Sequence, residues 1–478
     1  MTKTKVSSSL LALLVTCLSG CASTAPAQPA APETPPPAPA PAKPDPNDAY
    51  KSTYHPLPSS PVLIANATIL TAAGDRIENG SILLQDGKVA AVGPQIQAPA
   101  GVTVVDARGK WVTPGLIDAH SHLGVYPSPG DDANADGNEM TDPVTADVWA
   151  EHSVWPQDPQ FPLALAGGVT TQQILPGSAN LIGGRSVTVK SVPGLSVYEM
   201  KFPGAPYGLK MACGENPKRV YGEKGRAPMT RMGNVSGYRR AWIEAAEYRR
   251  SWDEYQQKEK DGKAKDAKPP VRDLEKETLA GVLAGEILVQ NHCYRADEML
   301  TMIDIAREFG YKIAAFHHAV EAYKIADVLA KEGICSNIWA DSWGFKMEAL
   351  DGIPENAALL QKAGACVVIH SDSAQVIQRL NQEAALAMAA GNRMGMSLRQ
   401  EDAIRWITIN PAKSMGIADQ TGSLEPGKMA DVVVWSGDPF SVYSRAEKVY
   451  VDGALLFDRD DPARQWKTDF ELGQGGNP

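Results

Sequence analysis

No CxxC pair occurs among the six cysteines, so neither a zinc ribbon nor a small disulfide-stapled scaffold is expected. No long run of Lys or Arg exists and the net charge is −10, which excludes nucleic acid as an expected partner. The apolar run at residues 10–18 falls well short of the ~20 residues that span a bilayer. What is there reads as an ordinary globular chain. Its 478 residues, 43% hydrophobic and 21% charged, suffice for a barrel with an accessory domain.

The N-terminus has the pattern of a targeting segment. Lys3 and Lys5 precede the short apolar run, and Leu-Ser-Gly-Cys at 18–21 resembles a bacterial lipobox. Residues 1–21 are therefore expected to be a lipoprotein signal peptide, with Cys21 lipidated; an ordinary secretory signal cut at 22–25 is the alternative. Ala22 after the cysteine implies, by the same resemblance, export to the outer membrane facing the periplasm. Residues 22–61 are rich in Ala and Pro, lack apolar periodicity and predict a semi-rigid tether. The lipid would be the chain's sole membrane contact.

The stretch VTPGLIDAHSHLG at 112–124 organises the rest. In an extended strand, residues i and i+2 point to one side, so His120 and His122 can reach one metal ion from the end of a buried strand. Neutral imidazole suits zinc foremost, and also iron, manganese or cobalt. Between 113 and 412, strand-like runs at 116–119, 168–172, 186–190, 208–213, 287–292, 312–318, 334–337 and 367–372 alternate with helical stretches. Eight such runs predict a parallel (β/α)8 barrel with its site at the C-terminal strand ends. Residues 226–280 depart from a lean barrel and read as an inserted helical pair with a loop. Short strands separated by Asn79-Gly80 and Asp86-Gly87 fill 62–112, and a matching set fills 413–460. Residues 461–478 form a tail.

The stretch at 112–124, together with NPAKSMGI at 410–417 and GSLEPGKMADVVVW at 422–435, resembles the amidohydrolase superfamily in its imidazolonepropionase-like and Xaa-Pro dipeptidase-like branch. The resemblance covers roughly 62–460. It implies a TIM-like metal-dependent hydrolase barrel inserted in a composite β-sandwich built from both chain ends. It also implies His292 and His318 as further metal ligands and Asp372 as the base that takes a proton from metal-bound water. Adjacent strand residues point to opposite sides, so only one of His317 and His318 can face the barrel, and AVEAY at 319–323 resembles a turn of the superfamily that aligns its ligand with His318, which is preferred. His370 faces the same interior by its spacing from Asp372. Two groups compete as a bridge between two ions: Glu215, and Lys210 in carboxylated form, with Glu215 slightly preferred. Arg185, Arg219 and Tyr221 are candidate substrate clamps, and Arg suits a carboxylate. Cys213, Cys293, Cys335 and Cys366 read as packing residues whose spacing establishes no disulfide.

The expectation is a hydrolase with one or two divalent ions, zinc foremost, acting on a C–N bond of a small amide, dipeptide or cyclic amide. A deaminase or lactonase would share the site, and a non-catalytic surface binding protein is the rival from another class. The sequence leaves a homo-oligomer open.

Overall fold

The computed structural model describes residues 50–265, 267–342 and 344–467. The signal segment, Cys21 and most of the linker lie outside them. The linker's described end is no free tether: Thr53 N–H donates to Tyr198 O (2.9 Å) and Tyr50 packs edge-on against Trp149.

Both chain ends build one eight-stranded sheet. From the N-terminal side come β1 (Val62–Ile69), β2 (Ile77–Gln85), β3 (Lys88–Gly93), β4 (Thr103–Asp106) and β5 (Trp111–Pro114). The barrel follows as β6 (Leu116–Ser121), β7 (Val169–Ile174), β8 (Ile182–Lys190), β9 (Gly208–Ala212), β10 (Leu288–Cys293), β11 (Ile313–His318), β12 (Cys335–Ile338) and β13 (Cys366–Ile369). The C-terminal side returns with β14 (Val432–Trp435), β15 (Ala446–Val451) and β16 (Ala454–Asp458). The antiparallel β5–β14 ladder joins the two ends in a single sheet whose order is β16-β15-β14-β5-β1-β2-β3, with β4 also on β1. Ile64, Ile69, Ile82, Val89, Val432 and Val434 share its apolar core, the alternation of a half-buried strand. Asp86-Gly87 makes the β2–β3 turn with both φ values positive, at 52° and 73°. Asn79-Gly80 does not separate two strands as expected. It lies inside β2, where Asn79 takes φ 50° beside an irregular register with β1.

The eight expected barrel strands are all present, side by side from β6 to β13. They are not all parallel: β8 runs antiparallel to both β7 and β9. The physical reason is length. Only residues 175–181 connect β7 to β8, and a parallel crossover needs a dozen residues or more, so the chain makes a hairpin instead. The seam between β13 and β6 is held beyond the strands themselves. Asp372 N–H donates to His120 O (3.1 Å), and Asp118 accepts the N–H of both His120 (3.1 Å) and Ser371 (3.2 Å).

The inserted pair is a long helix, Arg231–Lys260, capped by Thr230, and a short one, Leu274–Leu283, capped by Asp273. The long helix docks by burying Trp242 fully and by donating the Tyr238 hydroxyl to Ala212 O at the end of β9. Two disulfides tie neighbouring barrel strands, Cys213–Cys293 and Cys335–Cys366, pairings that the sequence spacing leaves open. The signal lay in register: Cys335 and Cys366 stand directly opposite on β12 and β13, and sequence spacing does not report register.

Candidate functional site

At the C-terminal ends of the barrel strands, histidines converge. His120 Nε2 and His122 Nε2 lie 3.2 Å apart, and Asp372 Oδ1 stands 3.5 and 3.3 Å from them. His318 Nδ1 is 3.9 Å from Asp372 Oδ2. Two overlapping groups can each hold one ion: His120 with His122 and Asp372, and His120 with His318 and His370. His292 closes the ring, its imidazole 4.6 Å from that of His318.

Local backbone explains this crowding. His122 and His120 share one side of β6 by strand alternation. Alternation alone would send His317 and His318 to opposite sides, yet both rings lie within 4.8 Å of His120. His318 escapes the rule because its φ is +68°, which turns its side chain back toward the interior at the strand's end. Asp372, at φ +50°, is re-aimed in the same way. Such left-handed residues are strained and are held only by their surroundings, here the Asp372–His120 backbone bond and the Trp339 ring stacked 4.3 Å from His318.

The surroundings orient each ring. The hairpin between β7 and β8 enters the site: Leu175 O meets His122 Nδ1 (2.8 Å), Pro176 O accepts from Lys210 Nζ (2.9 Å), and Ser178 Oγ meets His292 Nδ1 (2.9 Å). His317 Nδ1 lies 2.8 Å from His120 Nδ1, and its Nε2 lies 2.7 Å from Gln290 Oε1. Sequence reasoning missed Ser178 and the orienting role of His317. The first sits in a loop with no motif, and for the second alternation admits only one of the His317–His318 pair to the interior.

Burial sets the protonation states. It depresses His120, His292, His317 and His318 well below the usual imidazole value, helped by Lys210 and the neighbouring rings, so these rings are neutral, as ligation requires. Burial would raise Asp372, but its hydrogen bond to His122 and the fields of His122, His370 and Lys210 outweigh it and hold the carboxyl below its ordinary value. Burial raises Asp118 to about 7 against its three hydrogen bonds. Lys210 is fully buried and lowered to about 7 by desolvation, with Nζ 3.5 Å from His120 Nε2. Four buried ring nitrogens have no hydrogen-bond partner: His292 Nε2, His318 Nδ1 and both of His370. Such atoms are costly unless something binds them, and neutral imidazoles gathered with a carboxylate are the donor set of a divalent transition ion.

Other expected site residues lie elsewhere. Glu215 opens the helix Glu215–Gly222 and pairs with Lys346 (3.4 Å), outside both groups of converging ligand atoms. Arg185 stands opposite Leu209, one residue out of phase with the inward Lys210, and so points away from the histidines. There it is buried, 3.9 Å over the Trp149 ring and bonded to Thr278 Oγ1 (2.8 Å). Tyr221 is buried on the same helix with its hydroxyl donated to Asp142 O (2.6 Å), a tie to the loop that carries Asp142, and Arg219 is exposed. None of these placements brings Arg185, Tyr221 or Glu215 among the converging ligand atoms. A cavity of about 330 Å³ opens on His122 and Asp372, walled by Tyr126, Pro127, Ser373 and Gln375.

Known proteins resemble this chain along most of its length. A model of the family described as the amidohydrolase family matches residues 271–456. A solved amidohydrolase from Thermotoga maritima MSB8 superposes with a TM-score of 0.75 at 39% identity, covering 83% of this chain and 100% of that one. The amidohydrolase tasK of Hapsidospora irregularis is 34% identical over 402 residues, 81% of this chain; the chain spans about 40% of that relative's length. An imidazolonepropionase from Mesorhizobium japonicum is 24% identical over 408 residues, 75% of this chain and 87% of that protein.

Proposed function

We propose, because this chain belongs to the amidohydrolase family and its barrel mouth gathers buried, unpartnered imidazoles, that it is a metal-dependent hydrolase of a C–N bond in a small substrate. Family membership supports an enzyme acting on C–N bonds; the metal and the mechanism are our reading. The single observation that carries it is the set of ring nitrogens on His292, His318 and His370 that nothing among the described residues satisfies.

His120, His122, His292, His318 and Asp372 would hold one or two divalent ions, zinc foremost, and His370 joins them through its place beside His120 and His318. A bound ion supplies Lewis acidity to the scissile carbonyl and lowers the pKa of a water. Asp372, ionised and 25% exposed toward the cavity, takes the proton of the attacking water and passes it to the leaving nitrogen. Asp118, Ser178 and His317 keep their neighbours in one orientation and transfer no proton.

Of the two expected bridges, Lys210 is the one among the histidines. A buried ammonium beside ligand nitrogens would repel a divalent ion. The neutral amine, plentiful near pH 7, can attack carbon dioxide, forming an N–C bond and releasing a proton to give an anionic carbamate. In that form Lys210 would supply an anionic oxygen ligand to a divalent ion held by the neighbouring histidines. Residues 1–21 and Cys21 lie outside the described residues; export with a lipid anchor at the outer membrane is likewise our proposal, supported by the two disulfides, which an oxidising compartment favours.

Metal-reconstituted protein tested on dipeptides, N-acyl amino acids, cyclic amides and aminopurines decides the substrate class. Hydrolysis of an amide, lost in Asp372→Asn, supports the reading. Ammonia release from aminopurines alone would make it a deaminase. Turnover of none with metal bound would overturn it.

A further inference from the structure

The two sides of the site differ in charge. On the Asp372 side, the cavity lining has no cation. On the His292 side stands Tyr294, its ring 4.7 Å from His292 and 5.4 Å from His318, with Trp339 beyond. Lys346 lies over that ring, Nζ 4.1 Å from its centroid. It comes from the loop that follows β12, at the same end of the barrel as the histidines. The ammonium has three donors. Asn216 Oδ1 (3.0 Å) and Glu215 Oε1 (3.4 Å) take two, leaving one. The side chain is 18% exposed, so the ammonium keeps some access to solvent. The Tyr294 hydroxyl, on a residue 5% exposed, likewise makes no hydrogen bond to the described protein. Glu348 fixes the loop behind Lys346, since it ion-pairs with Arg231 on the long inserted helix.

We propose that Lys346 is a specificity residue that receives an anionic end of the substrate, a carboxylate, on the His292 side of the site. The proposal rests on the hydrolase reading above and narrows it to amides carrying a free carboxylate, such as dipeptides or N-acyl amino acids. Asn216 and Glu215 hold the ammonium in place over Tyr294, and the remaining N–H and the Tyr294 hydroxyl are the donors offered. The other end of the substrate, an acyl group or an α-amino group, lies in the cavity beside Asp372.

The test compares N-acetyl amino acids and dipeptides with their C-terminal amides, on full-length metal-loaded protein, by calorimetric binding and by turnover. Wild type should favour the free acid by about 10- to 100-fold in affinity and in kcat/KM, the factor carried by a hydrogen bond to a charged group. Lys346→Met should bring the acid-to-amide ratio close to one, chiefly through KM. Lys346→Arg should keep the preference, which a general loss of folding would not. Equal binding of acid and amide by wild type, or a preference that survives in Lys346→Met, overturns the proposal. Binding reads out without turnover: acid preference with no hydrolysis upholds Lys346 while refuting the hydrolase reading. Hydrolysis with no acid preference does the reverse.

Discussion

Ser178 shows how one hydroxyl can govern a ligand. Its Oγ engages His292 Nδ1 at 2.9 Å, which leaves Nε2 bare and aimed inward. Fixing one ring nitrogen selects the tautomer and basicity of the other. Ser178→Ala should therefore weaken metal binding by about 10- to 100-fold, measured by competition with a chelator, and Ser178→Thr should recover most of it. At this scale the sequence spoke unevenly. His120, His122, His292 and Asp372 were legible because ligation demands those residue types at strand ends. Glu215 was misplaced because a carboxylate at a helix start has two ready partners, a metal or a lysine, and only space chooses between them. Alternation admits only one of His317 and His318 to the interior, and a single left-handed residue, His318, breaks that rule.

The β7–β8 hairpin is the element that most distinguishes this barrel from a regular one. Because β8 runs backward, the short link 175–181 tips into the site, where backbone carbonyls of Leu175 and Pro176 meet His122 and Lys210. Eight strands were readable from apolar runs, but direction was not, since periodicity carries no sign. Gly184 makes the return possible: its φ is +107°, and a Cβ there would lie 2.2 Å from Val148 O. Gly184→Ala combines a strained backbone with a clash that backbone cannot relieve. It should cost about 3 kcal/mol or more, seen as a lowered urea midpoint, and should reduce metal retention with it. A neutral effect on both would mean that the hairpin tolerates displacement and does not position the site.

Across the whole molecule, a buried ionic cluster joins the parts that sequence separates. Lys190 at the end of β8 pairs with Asp452 (2.7 Å), in the turn between β15 and β16, and with Asp431 (3.2 Å), just before β14, and Asp452 also accepts the Tyr54 hydroxyl from the N-terminal arm. Removing the cation leaves two carboxylates buried and facing each other, so Lys190→Met should cost about 3–5 kcal/mol at pH 8. The cost should shrink toward pH 5. Burial and then Asp431 already hold the Asp452 carboxyl above its ordinary value, and losing Lys190 raises it further. The folded variant then binds more protons than the unfolded chain, and stability falls as pH rises through that interval. A deficit that did not grow with pH would show that the carboxylates find other partners. No helix of the described residues is long and apolar enough to cross a membrane. The central claim concerns the histidine and Asp372 cluster, and elemental analysis of the purified chain beside His120→Ala/His122→Ala tests it most directly. The account predicts one to two equivalents of a divalent transition ion in the wild type and loss of most of it in the folded variant. No bound metal in well-folded wild type after reconstitution, or equal occupancy in the variant, would contradict it.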